Sequence, residues 1–274
     1  MDRASVRVRS GIVPGLLMTT RTAPAPRLPE ATISEYDGVR SLHLGTIWIQ
    51  GSMRIARPDF VELDYVQRML ASLLWLPCEQ LGRGQAVQLG LGAGAITRFT
   101  LKALRMRTTA VELNPAVIAA CRRSFHLPAD GPKLQVLNQD ADTWVHDPAH
   151  PGSVQLLHVD LYDQDAAAPV LDDARFYAAC RSVLAEGGVM SVNLFGRDAS
   201  FDDSLAQIAS AFGRGQVCSL RPTREGNSVV LAGRDVMLPD RATLLDRAAT
   251  IEARFGTWGL PARKWLRMLR PLAP

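Results

Sequence analysis

Three groups of residues have types and spacing that could do chemistry together. The first is Gly90-Leu91-Gly92-Ala93-Gly94, which follows the apolar run 86–89. Glycines let a chain turn tightly and approach a ligand closely. The second is Glu112, 22 residues after Gly90, at the end of a short strand expected over 108–111. An acid at that spacing is placed to bind the two hydroxyls of a ribose. The third is a set of acids after later strands: Asp140 and Asp142 after 134–137, then Asp160 and Asp163 after 154–159. An acid ending a central strand is costly to bury unpaired, which marks Asp160 as functional. Two carboxylates there could bind an amine as its ammonium, and one could take its proton before attack.

The elements that must position these residues are strands and helices in alternation. The run 86–89, the helix 95–104 and the strand 108–111 form a nucleoside-binding βαβ unit. Gly90-x-Gly92-x-x-Ala95 fits a permissive dinucleotide fingerprint, and Gly90-x-Gly92-x-Gly94 equally fits the loop that cups an S-adenosylmethionine-type ligand. Acids after three successive strands favour a ligand with one ribose and one adenine amine over a dinucleotide. Pro115 suits the first turn of the next helix.

Composition limits the alternatives. Of 274 residues, 47% are hydrophobic and 21% charged, as in a soluble globular protein with a sizeable core. The net charge is +4, but the basic residues are scattered and form no aromatic-interleaved stripe, so no nucleic-acid partner is expected. No stretch approaches the length of a membrane span. Four cysteines far apart in sequence imply reduced thiols and a cytoplasmic protein, and no metal-ligand spacing occurs. Pro148 breaks any helical ligand face between His146 and His150, and His158 reads as a packed strand residue.

The whole chain reads as a doubly wound, Rossmann-like α/β sheet with a small N-terminal antiparallel β-domain. Residues 1–30 are expected to be a disordered leader and 31–57 the small β-domain, with strands 32–36, 39–44 and 46–50 around an Asp37-Gly38 turn. Residues 58–80 carry a linking helix capped by Asp59, with Val61, Tyr65, Met69, Leu73 and Leu76 on its apolar face and Pro77 as its stop. Residues 81–235 hold the nucleoside-binding catalytic domain, with a helix over 172–184 closed by Gly187-Gly188. Residues 236–274 form a helical tail. The β-domain is too small to stand alone, and is expected to pack on the linking helix or on another subunit.

Tyr36-Asp37-Gly38, Ile49-Gln50, Gln67-Arg68-Met69-Leu70, the glycine turn, Val111-Glu112, Asp140-Ala141, Asp160-x-x-Asp163 and Leu184-Ala185-Glu186-Gly187-Gly188-Val189 occur in the order of the spermidine synthases. In these respects the chain resembles a divergent member of that polyamine aminopropyltransferase family over residues 31–233. The resemblance implies a methyltransferase-like fold, a homodimer or homotetramer, and aminopropyl transfer from decarboxylated S-adenosylmethionine to putrescine or a similar amine. It implies that Gln50 and Glu112 hold the nucleoside with Gly90, Gly92, Gly94 and Ala141, and that Asp140 takes the adenine amine. Asp160 would be the base, Asp163 would bind the diamine, and Gln67 would touch the ligand. Two positions depart from the family. Ala93 stands where an aspartate holds the donor's ammonium, and Val66 stands where a tyrosine assists the base. Tyr65 lies about 100° from Val66 around a helix and is not expected to replace that tyrosine. Methyl transfer from S-adenosylmethionine and non-catalytic nucleoside binding are the alternatives.

Overall fold

In a computed structural model, which describes residues 28–161, 171–195 and 199–273, two sheets carry the chain. The first has three antiparallel strands in the order β1–β2–β3: β1 (Ala31–Tyr36), β2 (Val39–Leu44) and β3 (Gly51–Arg54). The Asp37-Gly38 turn joins the first two, with both residues at positive φ. The third strand is displaced from the expected 46–50. The ladder with β2 begins at Gly51, which pairs with Leu42, and the Gln50 N–H just ahead of it donates to the Leu42 carbonyl at 2.8 Å. Residues 46–50 are a bent, partly exposed loop instead. They have strand-forming side chains but no neighbouring strand to pair with.

The buried face of the small sheet packs on residues 91–93 and 117–125, while Arg54 on its last strand pairs with Glu62 in the linking segment. Leu42 and Met53 join Leu91, Ala93, Val117, Ala120 and Phe125 in one core cluster. The sheet thus lies against α3 (Pro115–Ser124) and the glycine turn. Asn114 caps α3 by accepting from the Ala116 N–H, with Pro115 in its first turn.

The second sheet has eight strands in the order β11–β9–β10–β8–β7–β4–β5–β6. Its parallel part comprises β4 (Gln85–Leu89), β5 (Arg107–Glu112), β6 (Leu134–Asn138), β7 (Val154–Val159) and the start of the long β8 (Leu184–Phe195). From the central β4 the chain steps outward to β5 and β6, then returns to β7 on the other flank. The switch point therefore falls between β4 and β7, where open α/β sheets bind ligands. The antiparallel flank is β9 (Val217–Leu220), β10 (Asn227–Gly233) and β11 (Leu269–Pro271).

The helices depart from expectation in instructive ways. α1 (Asp64–Met69) begins later than expected and continues as a 3₁₀ segment over Leu70–Trp75. Asp59 is not its cap; its carboxylate meets Lys102 instead. Leu76, ahead of Pro77, is extended, as the residue before proline must be. α2 (Ala95–Arg98) runs on as a π turn to Ala103. α4 (Ala141–Val145) is capped by Asp140 and α5 (Ala174–Val183) by Asp173. Gly187 and Gly188 do not close α5. They lie inside β8 at a register shift opposite Val154, where a Cβ on Gly188 would come 2.8 Å from two carbonyl oxygens. α6 (Ala199–Phe212) covers the antiparallel flank.

The C-terminal segment is more than a helical tail. α7 (Arg241–Phe255) and α8 (Ala262–Trp265) bury Leu244, Ala248, Ile251, Phe255 and Trp265 against Leu70, Leu73 and Trp75. The chain then adds β11 antiparallel to β9 and ends the sheet. A strand of three residues, one of them proline, is legible only beside the edge it completes. The expected leader falls almost wholly outside the described residues. Among the described residues, no helix is long and apolar enough to cross a membrane.

Candidate active site

At the switch point the ends of β4 and β7 meet. The Asp160 N–H donates to the Leu89 carbonyl at 2.9 Å, and a Cβ on Gly90 would lie 2.1 Å from the Asp160 carbonyl oxygen. Gly90 is therefore required by a neighbouring strand end as well as by any ligand. Gly92 plays the same part on the other side, where a Cβ would come 2.8 Å from the Gln50 carbonyl oxygen. The glycine turn is the hub on which the small sheet and the large sheet converge.

Above it lies a cavity of about 750 Å³. Of the residues expected in the site, Gln50, Gly90, Gly92, Glu112, Asp140, Ala141 and Asp160 line it. Gly94 does not. It starts α2 at φ +71° and closes the turn through its N–H to the Leu91 carbonyl. Gln67 does not line the cavity either: its amide donates to the Val61 carbonyl at 2.7 Å and braces the entry to α1. Asp163 lies outside the described residues.

The nucleoside side is built from backbone. Glu112 accepts from the Leu91 N–H at 2.9 Å with Oε2 and from the Asn114 N–H at 2.8 Å with Oε1. Each oxygen keeps a lone pair free for a hydroxyl. Burial pushes the Glu112 carboxyl upward, those backbone N–H groups pull it back, and the charge of Asp160 adds to the upward push. Asp140 spends one oxygen on the Thr143 N–H as the α4 cap. The Gln50 Nε2 is buried without a hydrogen-bond partner among the described residues, a donor left for something the cavity receives. Ile47, Trp48 and Ile49, from the loop that failed to be a strand, and Leu113 add apolar wall. These residues fit a purine nucleoside.

The other side is built from side chains far apart in sequence. Asp160 accepts from the Tyr65 hydroxyl at 3.2 Å through Oδ2 and from Asn193 Nδ2 at 2.9 Å through Oδ1. Burial raises its carboxyl to about 6, against the opposing pull of Asn193 and Tyr65. It is thus largely ionised at neutral pH and a far better proton acceptor than an ordinary aspartate.

Tyr65 overturns an expectation. Val66 is the residue turned into the core, and Tyr65 is the one that reaches the base. The phase of α1 is set by the loop that precedes it, and α1 starts at Asp64. Asn193 and Asn227, which also line the cavity, were missed in the sequence. The available signal was an asparagine in the largely apolar run 189–195, which needs a partner when buried.

One property holds over the whole cavity. Glu62, Asp64, Glu112, Asp140, Asp160 and Glu225 line it, and none of its described lining residues is lysine, arginine or histidine. Arg54 neutralises Glu62 and Arg68 neutralises Asp64 from outside the lining, leaving the other four uncompensated by a nearby cation among the described residues.

Comparison with known proteins gives the family. No family model matches the chain. The polyamine aminopropyltransferase of Chromobacterium violaceum is 32% identical over 239 residues, which cover 86% of this chain and 89% of the relative. Among solved structures, a probable spermidine synthase from Corynebacterium glutamicum superposes with a TM-score of 0.67 at 17% identity, over 84% of this chain and 85% of that one. Human methyltransferase-like protein 13 superposes with a TM-score of 0.62 at 20% identity, over 71% of this chain and 93% of that one. The two structural likenesses show a methyltransferase-like fold, and the identity to the curated relative over most of both chains makes this chain a member of the polyamine aminopropyltransferase family.

Proposed function

We propose that this enzyme transfers an aminopropyl group from decarboxylated S-adenosylmethionine to an amine such as putrescine. The observation that carries the choice of donor is the acidic lining of the cavity, which has no lysine, arginine or histidine among its described residues. A sulfonium and an ammonium are both favoured there. The carboxylate of intact S-adenosylmethionine would meet like charge, with no cation among the described lining residues to receive it. Methyl transfer remains the second reading because Ala93 stands in the glycine turn where the family carries an aspartate for the donor's ammonium.

Glu112 and Gln50 are assigned to the ribose, and Asp140 with Ala141 to the adenine edge. Asp160 receives the acceptor's ammonium and takes one proton from it, exposing the lone pair. The amine nitrogen then forms a bond to the methylene next to the sulfonium. The carbon–sulfur bond breaks with its electron pair left on sulfur, yielding a neutral thioether. The new secondary ammonium keeps the charge the sulfonium lost. Tyr65 and Asn193 hold Asp160 in place throughout. Asp163 stays assigned to the acceptor by resemblance alone.

Turnover and calorimetry with the decarboxylated and the intact donor test the reading. Binding of the decarboxylated donor at least tenfold tighter, with methylthioadenosine released only when an amine is present, is the expected result. Preference for the intact donor would move the enzyme to methyl transfer. A subunit contact through the small sheet belongs to the same proposal. Most of β1 is exposed, with Ile33 at 38% and Tyr36 at 86%, and sedimentation should find a dimer or larger.

A further inference from the structure

Asp160 stands at the end of a row of polar groups that the roles above use only in part. Asn193 Nδ2 donates to Asp160 at 2.9 Å, Asn227 Nδ2 donates to Asn193 Oδ1 at 3.1 Å, and the Thr223 hydroxyl lies 3.5 Å from Asn227 Oδ1. An ionised carboxylate has no hydrogen to give, so Asn193 must turn its NH₂ toward Asp160. Its oxygen then faces Asn227, which has to answer with its own NH₂. The oxygen of Asn227 is left for the Thr223 hydroxyl. Every bond in the row donates toward Asp160: the carboxylate sets the sense, and each neighbour further out supports it.

An amide has nearly the same shape when turned by 180°, so shape alone does not orient Asn193. The carboxylate on one side and the Asn227 NH₂ on the other act together to orient it. Asn227 sits on a rigid mount: Thr223 and Asn227 close the turn between β9 and β10 through Thr223 N–H to Asn227 O at 2.8 Å and Asn227 N–H to Thr223 Oγ1 at 3.2 Å. Thr223 is buried and does not line the cavity, so it cannot act by touching substrate.

We propose that Asn227, anchored by Thr223, is a positioning residue: it fixes the amide of Asn193 in the sense that donates to Asp160, keeping that carboxylate ionised and aimed at the acceptor amine. The proposal rests on Asp160 being the proton acceptor. Among the described residues, the Tyr65 hydroxyl from α1 and Glu112 from the end of β5 act on Asp160 directly, and Glu62, Asp64, Asp140 and Glu225 are the other charged groups of the same cavity, the first two paired with Arg54 and Arg68. His158 stands behind Asp160 on β7, bonded to Ser191 and held neutral by burial.

The test combines the pH dependence of kcat/KM with a ¹³C carboxyl titration of Asp160 in the ligand-free protein. Three variants are compared with the unmodified enzyme. Asn227→Ala removes the donor, and should raise the Asp160 midpoint and the acidic limb together by about half a unit or more. Turnover should fall about 5- to 20-fold, and donor affinity should stay within about twofold. Asn227→Asp keeps the shape but can only accept. It should draw the Asn193 NH₂ away and raise both midpoints further. Thr223→Val adds no charge and leaves the cavity lining intact, and should move both in the same direction by less.

Unchanged midpoints in Asn227→Ala and Asn227→Asp would overturn the proposal. So would a loss confined to KM for the amine, which would make Asn227 a direct contact. Shifted titration in a protein that transfers no aminopropyl group would support the row and retire the proposed activity, because the titration does not depend on turnover.

Discussion

The two halves of the cavity are made in opposite ways. On the nucleoside side, each acid is held by backbone N–H groups: Glu112 by Asn114 two residues on and Leu91 just past the end of the adjoining strand, Asp140 by Thr143 at the start of its own helix. On the amine side, Asp160 is held by side chains from Tyr65 and Asn193, which are 95 and 33 residues away. Backbone donors cannot be mutated away and hold a ligand in a fixed place. Side-chain donors can be tuned, and they set the protonation of the group that reacts. The first half is suited to binding, the second to chemistry.

Substitutions should separate the halves, and the largest effect is expected at the base. Asp160→Asn should lower kcat about 10²–10⁴-fold while donor affinity barely changes, measured by steady-state rates and calorimetry. The same variant should be more stable than the unmodified protein above pH 6. The folded state raises the Asp160 carboxyl from 3.8 to about 6, so the folded protein binds that proton more tightly than the unfolded chain. Its ionisation therefore costs stability, with nothing lost below about pH 4 and the full cost present above about pH 6. The cost is about 3 kcal/mol at most. Denaturant midpoints of the two proteins should coincide near pH 4 and diverge toward pH 7. A divergence in the opposite direction would remove the buried, ionised Asp160 from the account.

Glu112→Gln should do the reverse. Losing charged hydrogen bonds to the ribose should weaken donor binding about 10- to 100-fold, with kcat at saturation falling much less. Equal loss of binding in Asp160→Asn and Glu112→Gln would erase the distinction between the halves.

Tyr65→Phe should be milder, lowering kcat roughly 3- to 10-fold. Because Tyr65 pulls the Asp160 carboxyl down, its removal should also move the acidic limb of kcat/KM upward from where the unmodified enzyme shows it. A limb that stays in place would mean the hydroxyl serves only to fill space. Gln67→Ala should change kcat and KM by less than about twofold, since its amide bonds a backbone carbonyl outside the cavity. A large KM effect there would return Gln67 to the ligand.

The same division governs what could be read in advance. The nucleoside half was legible because its signals are local. Glycines where a strand must turn, an acid at the end of the next strand and a proline suited to a helix's first turn each act within a few residues of themselves. The amine half was legible only at Asp160, whose place at a strand end is also local. Tyr65 was discounted because a helical wheel gives relative angles but not absolute phase, and the entry loop before Asp64 supplied the phase. Gln67 came from the resemblance, and the structure sets its amide on the Val61 carbonyl outside the cavity lining.

By itself the sequence determined the alternation of elements, the glycine turn and the acids that end β5 and β7, since steric freedom and strand-end position are properties of short stretches. Tertiary structure alone decided three other matters. It placed β3 at Gly51 instead of 46–50, because a strand exists only where a neighbour offers hydrogen bonds. It turned the end of the C-terminal segment into β11 by giving it the open edge of β9. It brought Thr223, Asn227, Asn193, Tyr65 and Asp160 into one row, because the direction of an amide is chosen by its neighbours in space.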